Sequence, residues 1–252
     1  RGGVRWMTVT KRSKIMASDA KWRGRVPQGV CRVCLAALLL MPPLALRARK
    51  SATALSMERQ GMVDITTLDS TIQVSLMYAR ADNFTGRVLY ADLREALLHP
   101  RAARALCLAQ RLLKARRPDL SLKVYDAARP MSVQAQMWRV VAGTPQQNYV
   151  SNPRNGGGLH NYGMAVDITL CDAQTGDTLD MGTKVDHLGR EAHIDQEGEL
   201  VRRGIISREA QRNRQLLRSV MREAGFTPLR TEWWHFNLIT RAQARRQYRV
   251  IR

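Results

Sequence analysis

The 252-residue chain is short of acidic residues: 21 Asp and Glu stand against 41 Lys and Arg, a formal net charge of +20. An excess of that size raises nucleic acid, an anionic membrane surface or an acidic substrate as partners. Its placement argues against the first. Residues 1–60 hold 13 of the Lys and Arg and 2 of the acids, ahead of the part that reads as folded. The rest has no aromatic-interleaved basic stripe and no nucleic-acid motif, so no nucleic-acid partner is expected. Long apolar runs are lacking too. The one candidate, residues 30–46, is broken by Arg32, Pro42 and Pro43 and is too short to span a bilayer, so stable membrane insertion is not expected. Cysteine is scarce, with four in all. Cys31 and Cys34 form a lone Cys-x-x-Cys, a weak sign of zinc or redox chemistry. Cys107 and Cys171 fall in apolar patterns and read as packed small hydrophobes. Internal repeats are absent, which leaves solenoids and propellers aside.

The run at 30–46 follows a basic stretch and precedes small residues, with Ala52-Thr53-Ala54 as a candidate cleavage site. That order resembles a secretory signal and points to a periplasmic or otherwise exported protein. The alternative is an upstream stretch without function and a cytoplasmic protein. On either reading residues 1–60 are a basic N-terminal extension outside the fold, and residues 61–252 are one domain of ordinary size.

Within that domain, residues 65–79 read as strand-rich, with a turn near Asp69-Ser70. Pro100 can open a helix whose apolar spacing continues through Leu113. Leu120, Leu122 and Val124 alternate with polar neighbours, so 120–126 is a strand. Pro130 can open a second helix to about Val141, followed by a long Gly-rich loop to Leu159. Residues 163–171 form a strand and 172–204 read as irregular. Ser207 caps a helix that ends before Gly225, and 233–239 is a final strand. Helices and strands alternate without a parallel-sheet rhythm. The expected class is α+β: one compact domain with a central, mainly antiparallel sheet flanked by helices and a zinc site at the sheet surface.

The chemistry gathers in two of these strands. Side chains alternate along a strand, so Met164, Val166, Ile168 and Leu170 share a core face. Gly163, Ala165, Asp167 and Thr169 share the other, which is small until it reaches a carboxylate. His160, just ahead of the strand, can fold back over the hollow so formed. A His and an Asp converging there supply two of the three protein ligands of a catalytic zinc. In Glu232-Trp233-Trp234-His235, His235 supplies a third, leaving one position open for water whose pKa falls to about 7. Glu232 is the candidate for taking that water's proton. Strict alternation puts Glu232 and His235 on opposite faces, so a bend before the strand is expected. Arg129, in Asp126-Ala127-Ala128-Arg129-Pro130, is a candidate oxyanion stabiliser, with Asp126 orienting it through paired hydrogen bonds.

His160-x6-Asp167 with Gly163 and Ala165 inside it, followed far downstream by Glu232-Trp233-Trp234-His235, resembles the D-alanyl-D-alanine dipeptidases of the VanX type. Asp82-Asn83-Phe84-Thr85-Gly86, Asp126-x-x-Arg129-Pro130 and Met181-Gly182-Thr183-x-x-Asp186 carry the likeness too, over about residues 62–250. The resemblance implies one Zn2+ per chain held by His160, Asp167 and His235, a general base at Glu232 and a transition-state arginine at Arg129. It implies that Asp186 holds the free amino terminus of a small dipeptide substrate, and that Tyr78 lies near it. The sequence departs from the pattern at Gly158, where the family often has Ser; a substrate-contacting hydroxyl is lost there, and backbone N–H groups of the Gly-rich loop are the expected replacement. Such an enzyme would act in cell-wall precursor turnover or glycopeptide resistance. Two alternatives stay open: a D,D-carboxypeptidase or endopeptidase on longer peptidoglycan peptides, and a non-catalytic zinc-stabilised binding protein. His99, His187 and His193 read as structural, Trp233 and Trp234 as pocket wall and core, and the oligomeric state is left open.

Overall fold

A computed structural model describes residues 49–252, which form one contact unit. The signal-like run and the Cys31–Cys34 pair lie outside the described residues. The first helix, α1 (Ala52–Arg59), begins where the Ser51 hydroxyl accepts from the Ala54 N–H. Both Ser51 donors reach the Glu95 carboxylate at 2.9 Å, and Ala54 and Met57 are fully buried in the main core. The packed body therefore begins before residue 61, and the boundary expected after residue 60 is too late. The candidate cleavage site falls on the first turn of this helix. The signal-like order of charges hid α1, because its core face is only two residues and carries no readable period.

Two-residue strands β1 (Val63–Asp64), β2 (Gln73–Val74) and β3 (Leu97–Leu98) follow, with 3-10 turns at Ile65–Thr67 and Met77–Ala79. The region expected to be strand-rich is thus mostly turns. Side-chain oxygens of Asp64 and Asp69 take backbone N–H groups two residues on and compete with a ladder. The helix α2 (Pro100–Arg116) has Pro100 at its start and His99 as its cap. Then come β4 (Leu120–Asp126), α3 (Met131–Val141), β5 (Ala165–Asp172), α4 (Glu197–Arg202), α5 (Arg208–Glu223), β6 (Thr227–Leu229), β7 (Glu232–Asn237) and α6 (Arg241–Gln247).

Five strands form the central sheet in the order β2-β4-β5-β7-β6. Only the β2–β4 pair is parallel, so the expected mainly antiparallel α+β architecture is what the chain adopts. Helices α2 and α5 bury Leu106, Leu113, Leu217, Val220 and Met221 in one core with Val166, Ile168 and Leu170 of β5. Complete burial of a Leu or Ile side chain contributes roughly 1.5–3 kcal/mol. Asp167 alternates with these residues and so points to the other face of the sheet. Cys107 and Cys171 are buried and free, as packed small hydrophobes. Among the described residues no helix is long and apolar enough to cross a membrane.

Candidate metal centre and active-site cavity

Strand pairing assembles the centre of the site. In the antiparallel β4–β5 ladder Asp126 sits opposite Asp167, and in β5–β7 Asp167 sits opposite His235. Three neighbouring strands thus present Asp126, Asp167 and His235 at one level. The β4–β5 register shifts between Val124 and Asp126, an irregularity that re-aims the end of β4 toward the site. His160 arrives from a 3-10 turn, Leu159–Tyr162, that ends on Gly163 at φ 64°. A Cβ on Gly163 would lie 2.7 Å from the His99 backbone nitrogen and 2.6 Å from the Met62 sulfur. Only glycine fits that turn, and the turn is what brings His160 back over β5.

His160 Nε2 lies 3.2 Å from both Asp167 Oδ2 and His235 Nδ1, and His235 Nδ1 lies 3.0 Å from Asp167 Oδ1. The opposite ring nitrogens are committed. His160 Nδ1 donates to the Ala127 carbonyl at 2.6 Å, and His235 Nε2 donates to the Asn237 amide oxygen at 2.9 Å. Those acceptors place the ring hydrogens on the outer nitrogens, as the hydrogen-bond partners behind ligating histidines do. In the neutral rings, two imidazole lone pairs and a carboxylate then face one another with no hydrogen between them. Their mutual repulsion is relieved by a shared cation, and the three side chains form the one cluster able to hold a metal among the described residues, with ligand atoms within 4.8 Å of one another. Without a cation between them, these groups hold one another's charge. Burial opposes charge on His160, but the Asp167 carboxylate outweighs it and holds its pKa above the ordinary value. Burial would lift Asp167, yet the two imidazoles hold it far below the usual carboxylate range.

Glu232 opens β7 with its Oε2 3.9 Å from His235 Nδ1. The bend expected ahead of the strand is not needed. The β6–β7 register shifts, with Pro228 opposite Phe236 and Leu229 opposite Glu232, so β7 carries extra residues that β6 does not match. This irregularity breaks the alternation and lets residues three apart share a side. Burial pushes the Glu232 carboxyl up to about 8, with His235 opposing.

Arg129 is buried beside the triad, its NH2 3.8 Å from Asp167 Oδ2. Its Nε and NH2 both donate to a single oxygen, Asp126 Oδ2, at 2.9 and 2.5 Å. The expected paired hydrogen bonds therefore form, both on one oxygen, while Asp126 Oδ1 accepts from the Tyr90 hydroxyl at 2.6 Å. Arg129 NH1 donates to Gln134 Oε1 at 2.9 Å, and the guanidinium stacks 5.2 Å from the centre of the Tyr78 ring.

Asp186 and Tyr78 join at a second wall. The Tyr78 hydroxyl donates to Asp186 Oδ1 at 2.9 Å, and the Phe84 N–H donates to Oδ2 at 3.2 Å. Asn83 Oδ1 accepts from both Thr85 donors, shaping the loop that aims Phe84. Asp186 has φ 71°, the one non-glycine with positive φ among the described residues, a strain typical of functional positions. Burial lifts its carboxyl to about 7. The segment around it is held by Arg214 of α5, which is fully buried and donates to the Met181 and Glu191 carbonyls at 2.7 and 3.0 Å.

The triad, Glu232, Arg129, Tyr78 and Asp186 line one cavity of about 640 Å³, with Trp234 and Gly158 also in its wall. His99 caps α2, His187 pairs with Glu191 at 3.0 Å and His193 meets the Tyr149 hydroxyl at 3.1 Å, so none joins the triad. Sequence reading missed Tyr90, Gln134, Asn237, Arg214 and the Ala127 carbonyl. Only Asn237 had a signal: it lies two residues past His235, on the same face of the strand.

Over residues 58–252 the chain matches the family described as D-ala-D-ala dipeptidase. It is 36% identical over 177 residues to a D-alanyl-D-alanine dipeptidase of Escherichia coli, covering 70% of this chain and 84% of that protein. It is 30% identical over 194 residues to one of Streptomyces coelicolor, covering 69% of this chain and 89% of the relative. A third, from Enterococcus faecalis, is 29% identical over 181 residues, or 64% and 83% of the two chains.

Proposed function

The chain belongs to the D-ala-D-ala dipeptidase family, and from that premise we propose that it is a zinc peptidase whose substrate is the D-alanyl-D-alanine dipeptide. The observation that carries the reading is the convergence of His160 Nε2, His235 Nδ1 and Asp167 in a cavity that also holds the Glu232 carboxyl. Two imidazoles and one carboxylate are the donor set of a hydrolytic zinc, which supplies, when bound, the Lewis acidity that activates water and polarises the scissile carbonyl.

The protein's own groups do the rest. Glu232 takes the proton of the attacking water and hands it to the leaving amine, a task suited to a carboxyl that burial makes a stronger base than a free one. Arg129 stays charged because Asp126, Tyr78, Tyr90 and Asp167 together outweigh the effect of burial, and Asp126 orients its guanidinium in advance toward the oxygen on which charge develops. Asp186 receives the ammonium group of the substrate, with Tyr78 holding one carboxylate oxygen in place. An acid in the cavity wall favours a free dipeptide over a longer stem, whose amine is acylated and would leave Asp186 without a counter-charge. That supports the dipeptidase over a carboxypeptidase or endopeptidase. Cell-wall precursor turnover or glycopeptide resistance is the setting such a reaction serves, and the basic-then-apolar order of the first fifty residues supports export.

The test is hydrolysis of D-Ala-D-Ala, D-Ala-D-Ala-D-Ala and N-acetyl-D-Ala-D-Ala by the purified chain, before and after chelation and after addition of Zn2+. Activity on the free dipeptide that chelation removes and zinc restores is expected. Turnover unaffected by the chelator, or faster turnover of the acylated peptide, rejects the reading.

A further inference from the structure

A dipeptide that leaves its ammonium at Asp186 still has a carboxylate to place. Arg129 lies beside the triad, where it serves the oxygen of the scissile bond, and Asp126 and Gln134 hold it there. One other cationic side chain lines the cavity: Arg241, at the start of α6. Among the described residues its guanidinium has no carboxylate within ion-pair distance, and the hydrogen bond it makes runs from NH2 to the Ser151 hydroxyl.

Ser151 is itself tied to the catalytic wall. Its carbonyl accepts from Gln134 Nε2 at 2.7 Å, and the other end of that amide accepts from Arg129. Its hydroxyl fills the place a side chain at position 158 would need: a Cβ on Gly158 would lie 2.9 Å from Ser151 Oγ. Gly158 and Ser151 are therefore two halves of one change. The side chain missing two residues ahead of His160 leaves room for a hydroxyl from another segment, and that hydroxyl brings a guanidinium with it.

We infer that Arg241, steadied by Ser151, is a specificity-determining residue that binds the C-terminal carboxylate of the substrate. The inference rests on the dipeptidase reading above. A guanidinium with free donors at an open rim binds a planar carboxylate through parallel hydrogen bonds, whereas a hydroxyl alone supplies one. Because Arg241 is exposed and outside the core, it can be replaced without loss of the fold.

The experiment compares D-Ala-D-Ala with its C-terminal amide, in which the negative charge is gone and the scissile bond is unchanged. Wild-type protein is expected to favour the acid by about tenfold to a hundredfold in kcat/KM, mostly through KM. Arg241→Gln should erase that preference, lowering kcat/KM for the acid and leaving the amide unchanged. Arg241→Lys should keep part of the preference, and Ser151→Ala should lose part of it. Equal rates on acid and amide by the wild type would overturn the inference while leaving the dipeptidase reading intact. So would an Arg241→Gln variant that slows both substrates equally or neither. A wild type that cleaves neither compound in the presence of zinc would remove the dipeptidase reading, and this inference with it.

Discussion

Asp167 and His235 are register partners across β5 and β7, and their side chains meet at 3.0 Å between Oδ1 and Nδ1. The contact is built by strand pairing, so it inherits the rigidity of the sheet rather than the mobility of a loop. Asp126 extends the row on β4, and through it Arg129 is referred to the same frame. His160 and Asp186 come from irregular segments, and each is locked by a separate device. His160 is held by the Gly163 turn and the Ala127 carbonyl, Asp186 by Tyr78 and Phe84.

Glu232→Gln should keep metal and lose hydrolysis. The amide is the same size and makes no demand on the triad, but it cannot accept a proton. A fall in kcat on the order of 10²–10⁴ is expected, with zinc content by elemental analysis unchanged. Near-wild-type kcat would remove Glu232 from the reaction.

Asn237→Leu should weaken metal binding without touching a ligand. The Asn237 oxygen fixes the tautomer and angle of His235, and loss of such a partner typically lowers affinity by about 10–100-fold. Competition against a chromophoric chelator measures this, and an unchanged dissociation constant would contradict it.

Asp186 makes stability depend on pH in a defined direction. Its carboxyl is lifted to about 7 in the folded chain, against roughly 3.9 when unfolded. Between those values the folded state holds a proton that the unfolded state has released, so stability falls as pH rises from about 4 to about 7. Asp186→Asn removes the titration. Its melting temperature should therefore decline less between pH 5 and pH 8 than that of the wild type. Parallel melting profiles for the two would show that burial does not tax this carboxylate. The same ionisation should lower KM for the dipeptide over that window, since the ionised acid is the form that binds an ammonium.

Arg214→Met should damage both stability and substrate binding. The buried guanidinium satisfies the Met181 and Glu191 carbonyls and stacks 5.5 Å from the Trp233 ring. Leaving buried acceptors without donors costs roughly 1–3 kcal/mol each. A drop in Tm of about 5–10 °C should come with a raised KM and a preserved zinc content, because the segment it anchors carries Asp186 and none of the triad. Loss of zinc in step with stability would mean that the domain fails as a whole.

Much of this was legible in the chain. His160, Asp167 and His235 are marked by residue type and spacing, and the faces of β5 follow from its two-residue period, which put Asp167 opposite the core. The long helices at 100–116 and 208–223 announced themselves through caps, proline placement and apolar spacing. Other parts had no local signal. Helix α1 buries two residues and looked like the tail of a signal. Strands β1, β2 and β3 are two residues each, too short for any period to show. Arg214 reads as one more cation on a basic helix until the fold closes over it.

Sequence alone determined which groups could do chemistry here, because ligand identity, carboxylates and an arginine are properties of residue type, and strand faces follow from the alternation of the backbone. Tertiary structure decided how those groups meet. Strand order set Asp126, Asp167 and His235 side by side, the irregular β6–β7 pairing turned Glu232 to the side of His235, and packing against a side chain at position 158 of zero size brought Ser151 and Arg241 to the cavity. Each of these depends on contacts between residues far apart in the chain, and no local pattern records which distant segment will fill a given space.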